Sequence, residues 1–244
     1  MSAAIALAGV AKAFANGTTA LAPVDLAIAQ GSFVSLVGPS GCGKSTLLRL
    51  IAGLIAPSAG EITRNWPSGA IGFVFQDPTL MPWATIADNV ALPLRLAGRP
   101  VEGIAAALDR VGLTGFSSAY PRELSGGMRM RTSIARATIT TPAVLLMDEP
   151  FAALDEFTRF RLNDDLIALW SAHRWTVVFV THSIREAVFM SERVIVMSPR
   201  PGRVVADLAI AFDAPRTAAL RDSHAFTDAC ARVGTALGHA MEAA

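Results

Sequence analysis

The sequence predicts an α/β fold with a mostly parallel sheet, an N-terminal antiparallel β part and an inserted helical block. Three observations carry this reading. Short runs rich in β-branched, aromatic and other apolar residues ("SFVSLVG", "AVLLM", "TVVFV", "RVIVMS") alternate with segments of helical periodicity, the pattern of parallel strands joined by crossover helices. From Thr85 to about Ile139 no strand pattern interrupts the helical texture. Ahead of the first buried run, residues 3–10 and 24–28 alternate loosely, as antiparallel strands at a sheet edge do.

The elements follow in order. "SFVSLVG", from Ser32, is a buried strand. The helix after it starts at Lys44 and reaches about Leu54, closed by Pro57. "EITRN" and "AIGFVF" are short strands, and Pro78, Pro82 and Trp83 mark a loop. Thr85 suits the N-cap of the helix in "TIADNVALPLRLAG". Residues 102–111 form a second helix ended by Gly112, and a third follows Gly127. "EFTRFRLNDDLIALWSAH" sets Phe157, Phe160, Leu162, Leu166, Leu169 and Trp170 at helical spacing. "SIREAVFM" is a helix between two strands, and the Ala-rich last thirty residues are helical.

Composition narrows the function. With 21 Lys+Arg against 20 Asp+Glu, there is no basic face of the kind nucleic-acid binding needs. The apolar content, 52%, is high for a soluble chain. It points to a protein partner at a membrane, or more plainly to a large Ala-rich core. The longest apolar runs fall far short of the roughly 20 residues a spanning helix needs. Lys12 interrupts the apolar start, which has no basic n-region and so makes a poor signal peptide. Of the two cysteines, Cys42 lies in a glycine-rich loop and Cys230 near the C-terminus, an arrangement suited to a reducing compartment.

That loop carries the chemistry. "GPSGCGKS", Gly38 to Ser45, fits G-x-x-x-x-G-K-[ST] between a strand and a helix, which is the context of a phosphate-binding P-loop. Gly41 and Gly43 let backbone N–H groups turn inward, the helix N-terminus adds partial positive charge, Lys44 reaches the outer phosphates, and Ser45 can ligate Mg²⁺. "AVLLMDEP" ends a buried strand on Asp148, which can hold Mg²⁺, and Glu149, placed to polarise a water. Gln76 ends "GFVF" and His182 follows "VVFVT". The P-loop, Gln76, Asp148 and His182 therefore share the C-terminal ends of strands, the ligand edge of an open parallel sheet. By itself His182 would be a structural histidine; in this company it joins Gln76 as a contact to the terminal phosphate or the attacking water. Phe14 either stacks on a base or fills the core. "ELSGGMRMRTSIARA" begins with Ser125, Gly126 and Gly127 at a second helix start, read as a plain N-cap or as a second phosphate cradle.

The P-loop, Gln76, "LSGGM", "LLMDEP", "ALD" ending at Asp155, and His182 stand in the order of an ABC transporter ATPase subunit, and the resemblance covers nearly the whole chain. It implies a P-loop NTPase (RecA-like) core and one domain over residues 1–244. Residues 1–84 and 140–244 would form the nucleotide-binding core, and 85–139 a helical subdomain bearing the signature. It implies ATP and Mg²⁺ as ligands. Phe14, Gly38, Pro39, Ser40, Gly41, Cys42, Gly43, Lys44, Ser45, Thr46 and Gln76 would touch the nucleotide. Ser125, Gly126, Gly127 and Asp155 would serve the ATP of a second copy paired head to tail. Ser45, Gln76 and Asp148 would hold the metal, with Glu149, His182, Gln76 and Lys44 in catalysis.

"FVFQDPTLMPWATIADNVALPL", "MDEPFAALDEFTRFRLNDDLIALW" and "VIVMSPRPGRV" resemble the nitrate/sulfonate/taurine import branch. That implies membrane permease subunits, an extracytoplasmic solute-binding protein and a peripheral position on the cytoplasmic face of the cell membrane. Leu80, Met81 and Trp83 either form a socket for a permease helix or pack inside the subunit. Met130 replaces the usual Gln and Ser183 the usual Asp, which bears on contacts across the dimer. The rival class is a soluble ABC ATPase of translation or DNA maintenance. This chain has one ATPase domain, no heptad insert and no basic tract.

Overall fold

A computed structural model describes residues 2–212 and 216–242. In chain order the elements are β1 (Ala3–Ala13), β2 (Thr19–Ala29), β3 (Phe33–Val37), α1 (Lys44–Ile51), β4 (Ala59–Arg64), β5 (Ile71–Val74), α2 (Ile86–Leu96), α3 (Ile104–Arg110), α4 (Gly126–Thr138), β6 (Val144–Asp148), α5 (Glu156–His173), β7 (Thr176–Val180), α6 (Ile184–Met190), β8 (Arg193–Met197), β9 (Val204–Ala209) and α7 (His224–Glu242). They fall into two compact units, Met1–Trp66 with Arg174–Ala244, and Pro67–His173.

The first unit holds two kinds of sheet. β1 and β2, far longer than their weak alternation suggested, pair antiparallel, and β4 adds to the other side of β1 in the order β2-β1-β4. This is a separate sheet, not the edge of the parallel one that the sequence suggested. Pro23 is tolerated in β2 because β2 is an edge strand. The parallel strands β7, β3 and β8 are buried along nearly their whole length, with Phe33 and Phe179 rings 6.0 Å apart. Ser35, fully buried in β3, is satisfied by the Ser191 hydroxyl at 2.8 Å. β9 pairs antiparallel with β8. It alternates between half-buried and exposed positions, with Asp207 on the exposed side and no fully buried residue, so it gave no apolar run for the sequence reading to find. α1 stops at Ile51, short of the expected Leu54, because Gly53 turns left-handed at its end. The Arg64 guanidinium then takes the carbonyls of Leu50 and Ile51 at 2.6 and 2.8 Å.

The second unit pairs β5 and β6 in parallel and packs α2, α3 and α5 against α4 or one another. Thr85 caps α2 as expected, accepting the Asp88 N–H at 3.1 Å. α3 begins after a left-handed Gly103, later than residue 102. α4 begins at Gly126 with Ser125 as its N-cap. α5 has its expected bounds, and its buried face is Leu162, Asn163, Leu166, Ile167 and Trp170. Phe157 is not on that face: it is 88% exposed.

A β-bulge carries β1 past β4 between Ala8 and Ala11. There Gly60 (φ +79°) lies so close that a Cβ would meet the Gly9 carbonyl oxygen at 2.3 Å. Gly9 (φ +59°) has open space around its own Cβ position. Gly60→Ala is expected to cost about 4 kcal/mol, a clash added to strain. Gly9→Ala should cost about 1–2 kcal/mol, strain alone. Thermal unfolding of the two variants checks this, and equal drops in Tm would contradict it.

Candidate functional site

In the first unit, β3 runs straight into the loop Gly38–Gly43 and α1. Gly43 caps α1 at φ 106°, and Gly41 has φ +73°, conformations that only glycine adopts cheaply. Space excludes side chains as well. A Cβ on Gly38 would sit 2.9 Å from the Met197 carbonyl oxygen, and one on Gly43 would sit 2.7 Å from Leu21 Cδ2. The result is a ring of bare backbone at a helix N-terminus, shaped for an anion. Lys44, 4% exposed, folds across it and donates from Nζ to the carbonyls of Gly38 (2.8 Å) and Pro39 (3.0 Å). The cation is thus held inside the loop that would receive phosphates. Cys42 is buried and reduced, with its Sγ 3.8 Å from Lys44 Nζ.

β7 is parallel to β3, and Leu36 is in register with Val180. Gly38 and His182 therefore lie equally far beyond the last paired residues. His182 is exposed, while Thr181 before it is 2% exposed. Phe14 stands just beyond β1 and is 41% exposed with Lys12 Nζ 5.4 Å from its ring. A place in the core is thereby ruled out.

The second unit repeats the arrangement. Val74 of β5 is in register with Met147 of β6, so Gln76 and Glu149 each lie two residues past the pair. Gln76 is exposed and Asp148 is 7% exposed. Glu149 has φ 46°, a left-handed backbone costing about 1–3 kcal/mol, which tends to persist at functional sites. At the start of α4, Ser125 is exposed and its Oγ accepts the Met128 N–H at 3.3 Å. A Cβ on Gly127 would sit 2.7 Å from Thr158 Cγ2, and one on Gly126 would sit 3.5 Å from Leu154 Cδ2. The signature start therefore packs on the segment bearing Asp155. The Thr158 N–H bonds Asp155 Oδ1 at 3.0 Å, and this backbone hydrogen bond, first among its causes, holds the Asp155 carboxyl below its ordinary range. Met130 is 2% exposed: it belongs to the core of this unit and offers nothing to a partner. Ser183 caps α6, accepting the Glu186 N–H at 3.3 Å, as an Asp would.

Several supports were not legible in the sequence. Asn89, fully buried in α2, accepts the Met81 N–H at 2.7 Å and donates to the carbonyls of Met81, Ala84 and Thr85. Arg136 of α4 donates to the carbonyls of Pro78 (2.7 Å) and Thr79 (2.9 Å), and burial pushes its guanidinium below the usual range. Together they fix the loop after Gln76. Leu80 and Met81 are half-buried in it, and Trp83 is 77% exposed. In the first unit Arg200 donates from Nε to the Gly41 carbonyl at 3.1 Å. A Cβ on Gly202 would sit 2.0 Å from the Cys42 carbonyl oxygen. Nothing in "VIVMSPRPGRV" as a sequence signalled that its turn braces the P-loop.

Gly202→Ala must displace either the turn or the cradle, since both neighbours are backbone. The expected result is ATP affinity weakened by roughly tenfold or more, the effect of a displacement of about 1 Å or less. Titration with a fluorescent ATP analogue checks it; unchanged affinity would show that the turn yields and the cradle does not.

Comparison with known proteins agrees with this geometry. The family model described as ABC transporter matches residues 21–152. The aliphatic sulfonates import ATP-binding protein SsuB 1 of Pseudomonas savastanoi pv. phaseolicola is 46% identical over 205 residues, 84% of this chain and 85% of that protein. A putative ATP-binding protein of Brucella abortus is 46% identical over 233 residues, 92% of this chain and 90% of its own length. Among solved structures, a dimeric bacterial ABC transporter cassette superposes with a TM-score of 0.74 at 34% identity, covering 86% of this chain and all of that one. A post-hydrolysis state of an ATP-binding cassette with bound ADP and Pi gives 0.74 at 33%, with the same coverage. With the glycine cradle, the acidic strand end and the capped signature helix all in place, the chain belongs to the ABC transporter family of ATP-binding proteins.

Proposed function

We propose that this chain is the ATP-binding and ATP-hydrolysing subunit of a membrane importer, working as a head-to-tail homodimer beneath permease subunits. The observation that carries the reading is the pair of phosphate-competent helix starts in one chain. One is the glycine cradle at α1 with Lys44 folded into it, and the other is the exposed Ser125 at α4. A single nucleotide on one chain has no use for both. Two copies facing head to tail use each, with the second set of N–H donors neutralising the γ-phosphate from the far side.

Each residue then has a task. The cradle Gly38–Thr46 binds the phosphates, Lys44 offsets their charge, and Phe14 stacks on adenine. Among the described residues no three His, Cys, Asp or Glu side chains cluster to hold a metal. A resident transition metal does not fit, but Mg²⁺ does, because it takes few protein ligands and completes its shell with water and phosphate oxygens. Ser45, Gln76 and Asp148 would supply its hard oxygen donors. When bound, Mg²⁺ neutralises charge that builds on the β- and γ-phosphates. Glu149 orients and deprotonates the attacking water, and His182 holds the γ-phosphate. Asp155 and the signature serve the ATP of the other copy.

Among the described residues no helix is long and apolar enough to cross a membrane. The likeness to import ATP-binding proteins supports a peripheral position on the cytoplasmic face, bound to the permease. A groove of about 310 Å³ in the second unit, lined by Phe73, Phe75, Thr79, Leu92, Leu96 and Arg136, suits an apolar permease segment. Leu96 is 79% exposed beside it, and the loop that follows Gln76 forms part of its wall. The sulfonate importer proteins among its relatives favour a sulfonate, nitrate, taurine or similar small organic solute delivered by an extracytoplasmic binding protein. A soluble ABC ATPase of translation or DNA maintenance is disfavoured by the balanced charge and by the identity with import subunits.

Glu149→Gln should bind ATP and run as a dimer in size-exclusion chromatography, with turnover reduced by ~10²–10⁴. Ser125→Arg should bind ATP and remain a monomer. A native rate in the first, or full turnover by a monomer in the second, would overturn the shared-site model. Affinity purification from gently solubilised membranes is expected to bring down a polytopic membrane protein in stoichiometric amount; ribosomal or DNA-repair proteins in its place would favour the soluble class.

A further inference from the structure

The turn that carries His182 is closed by a buried polar ring with no role in the scheme above. Thr181 and Glu186 are 2% and 6% exposed. Thr181 Oγ1 donates to Glu186 Oε2 at 2.5 Å and accepts the Ser183 N–H at 3.0 Å. Ser183 Oγ in turn accepts the Glu186 N–H at 3.3 Å. In a capping box the acidic side chain three residues into the helix would take the N-cap N–H directly. Here the Thr181 hydroxyl is inserted between them, so the ring closes two residues earlier and brackets His182 on both sides. The Thr181 N–H is also tied to the Leu36 carbonyl of β3 at 3.2 Å. The backbone of His182 is thereby fixed relative to the strand that leads into the P-loop, while its imidazole is exposed.

Capping alone does not account for this. A buried carboxylate is costly to desolvate, and Ser183 already caps α6. The geometry points to Glu186, acting through the Thr181 hydroxyl, as a positioning residue that aims His182; the inference rests on the reading of His182 as a γ-phosphate contact. A near-attack arrangement loses rate steeply when a contributing group moves by about 1 Å. The ring would therefore be felt in turnover before it is felt in nucleotide binding, because its side-chain hydrogen bonds are not those that hold Lys44 in the glycine cradle.

The test uses the purified full chain with Mg²⁺ and ATP, measuring phosphate release, ATP affinity and Tm for each variant. Glu186→Ala and Thr181→Val are each expected to lower kcat by roughly 10- to 100-fold with ATP affinity unchanged. Thr181→Ser, which keeps the hydroxyl, should restore kcat. The Glu186→Ala/Thr181→Val double variant should be no worse than either single one, and Glu186→Ala should add nothing in a His182→Ala background. Losses that multiply in either pair, or a lowered Tm with native kcat, would overturn the inference and leave Glu186 a structural acid. Should Glu186→Ala fail to fold, the contrast between Thr181→Val and Thr181→Ser decides alone. A fully active His182→Ala would remove the reading of His182 and this inference with it, whereas a crippled His182→Ala beside a native Glu186→Ala would refute the inference alone.

Discussion

Backbone packed directly on backbone is the constraint on which the phosphate cradle depends. At Gly38, Gly43 and Gly202 the space a Cβ would take is already filled by backbone carbonyl oxygens, those of Met197, Ala20 and Cys42 respectively. These contacts come from sequence-distant pieces, the start of β2 and the turn between β8 and β9, which converge on one loop. The Gly202 N–H bonds the Ala20 carbonyl at 3.0 Å, and the Ala22 N–H bonds that of Gly202 at 3.1 Å. The antiparallel sheet and the last hairpin therefore serve the P-loop as well as themselves. Without such bracing, a loop with three glycines in six residues would have too much conformational freedom to hold its N–H groups ready for an anion.

The second unit meets a different demand with the same economy. Its functional groups lie on connections, where backbone is mobile by default. The connection after Gln76 is tied down by polar side chains from two helices: buried Asn89 for residues 81–85, and half-buried Arg136 for residues 78–79. Arg136 and Ser125 lie at opposite ends of one 13-residue helix, roughly 16 Å apart at 1.5 Å per residue. A rigid rod thus joins the loop after Gln76 to the signature, and the groove proposed for the permease borders the same arginine.

The sequence revealed the order of parallel strands and crossover helices, because buried runs and helical spacing are strong local signals. It revealed the P-loop and "LSGG" for the same reason: their chemistry is contiguous. It concealed what depends on pairing at a distance. β9 alternates too weakly to be seen without β8, and the separateness of the β2-β1-β4 sheet is settled by which strand β1 chooses as its neighbours. Phe157 matched the period of α5 yet stands in solvent, since a period says nothing about where a face ends. Met130 and Ser183 looked like departures that would touch a partner. In the fold one is core and the other an ordinary cap, so neither substitution removes anything that its own surroundings used.

Most site residues and their supports differ in burial. Of those proposed to meet ligand directly, Gln76, Ser125 and His182 are exposed and Glu149 is half-exposed and strained, while Lys44 and Asp148 are buried. Those that hold them (Asn89, Thr181, Glu186) are buried and hydrogen-bonded to backbone or to each other. Exposed groups can be exchanged between relatives with little cost to folding, whereas each buried support carries a desolvation penalty that only its full set of partners offsets. Stability and function are therefore separable here in a specific way. Loss of an exposed residue removes chemistry from an intact fold, and loss of a buried one loosens the aim of chemistry that is still present.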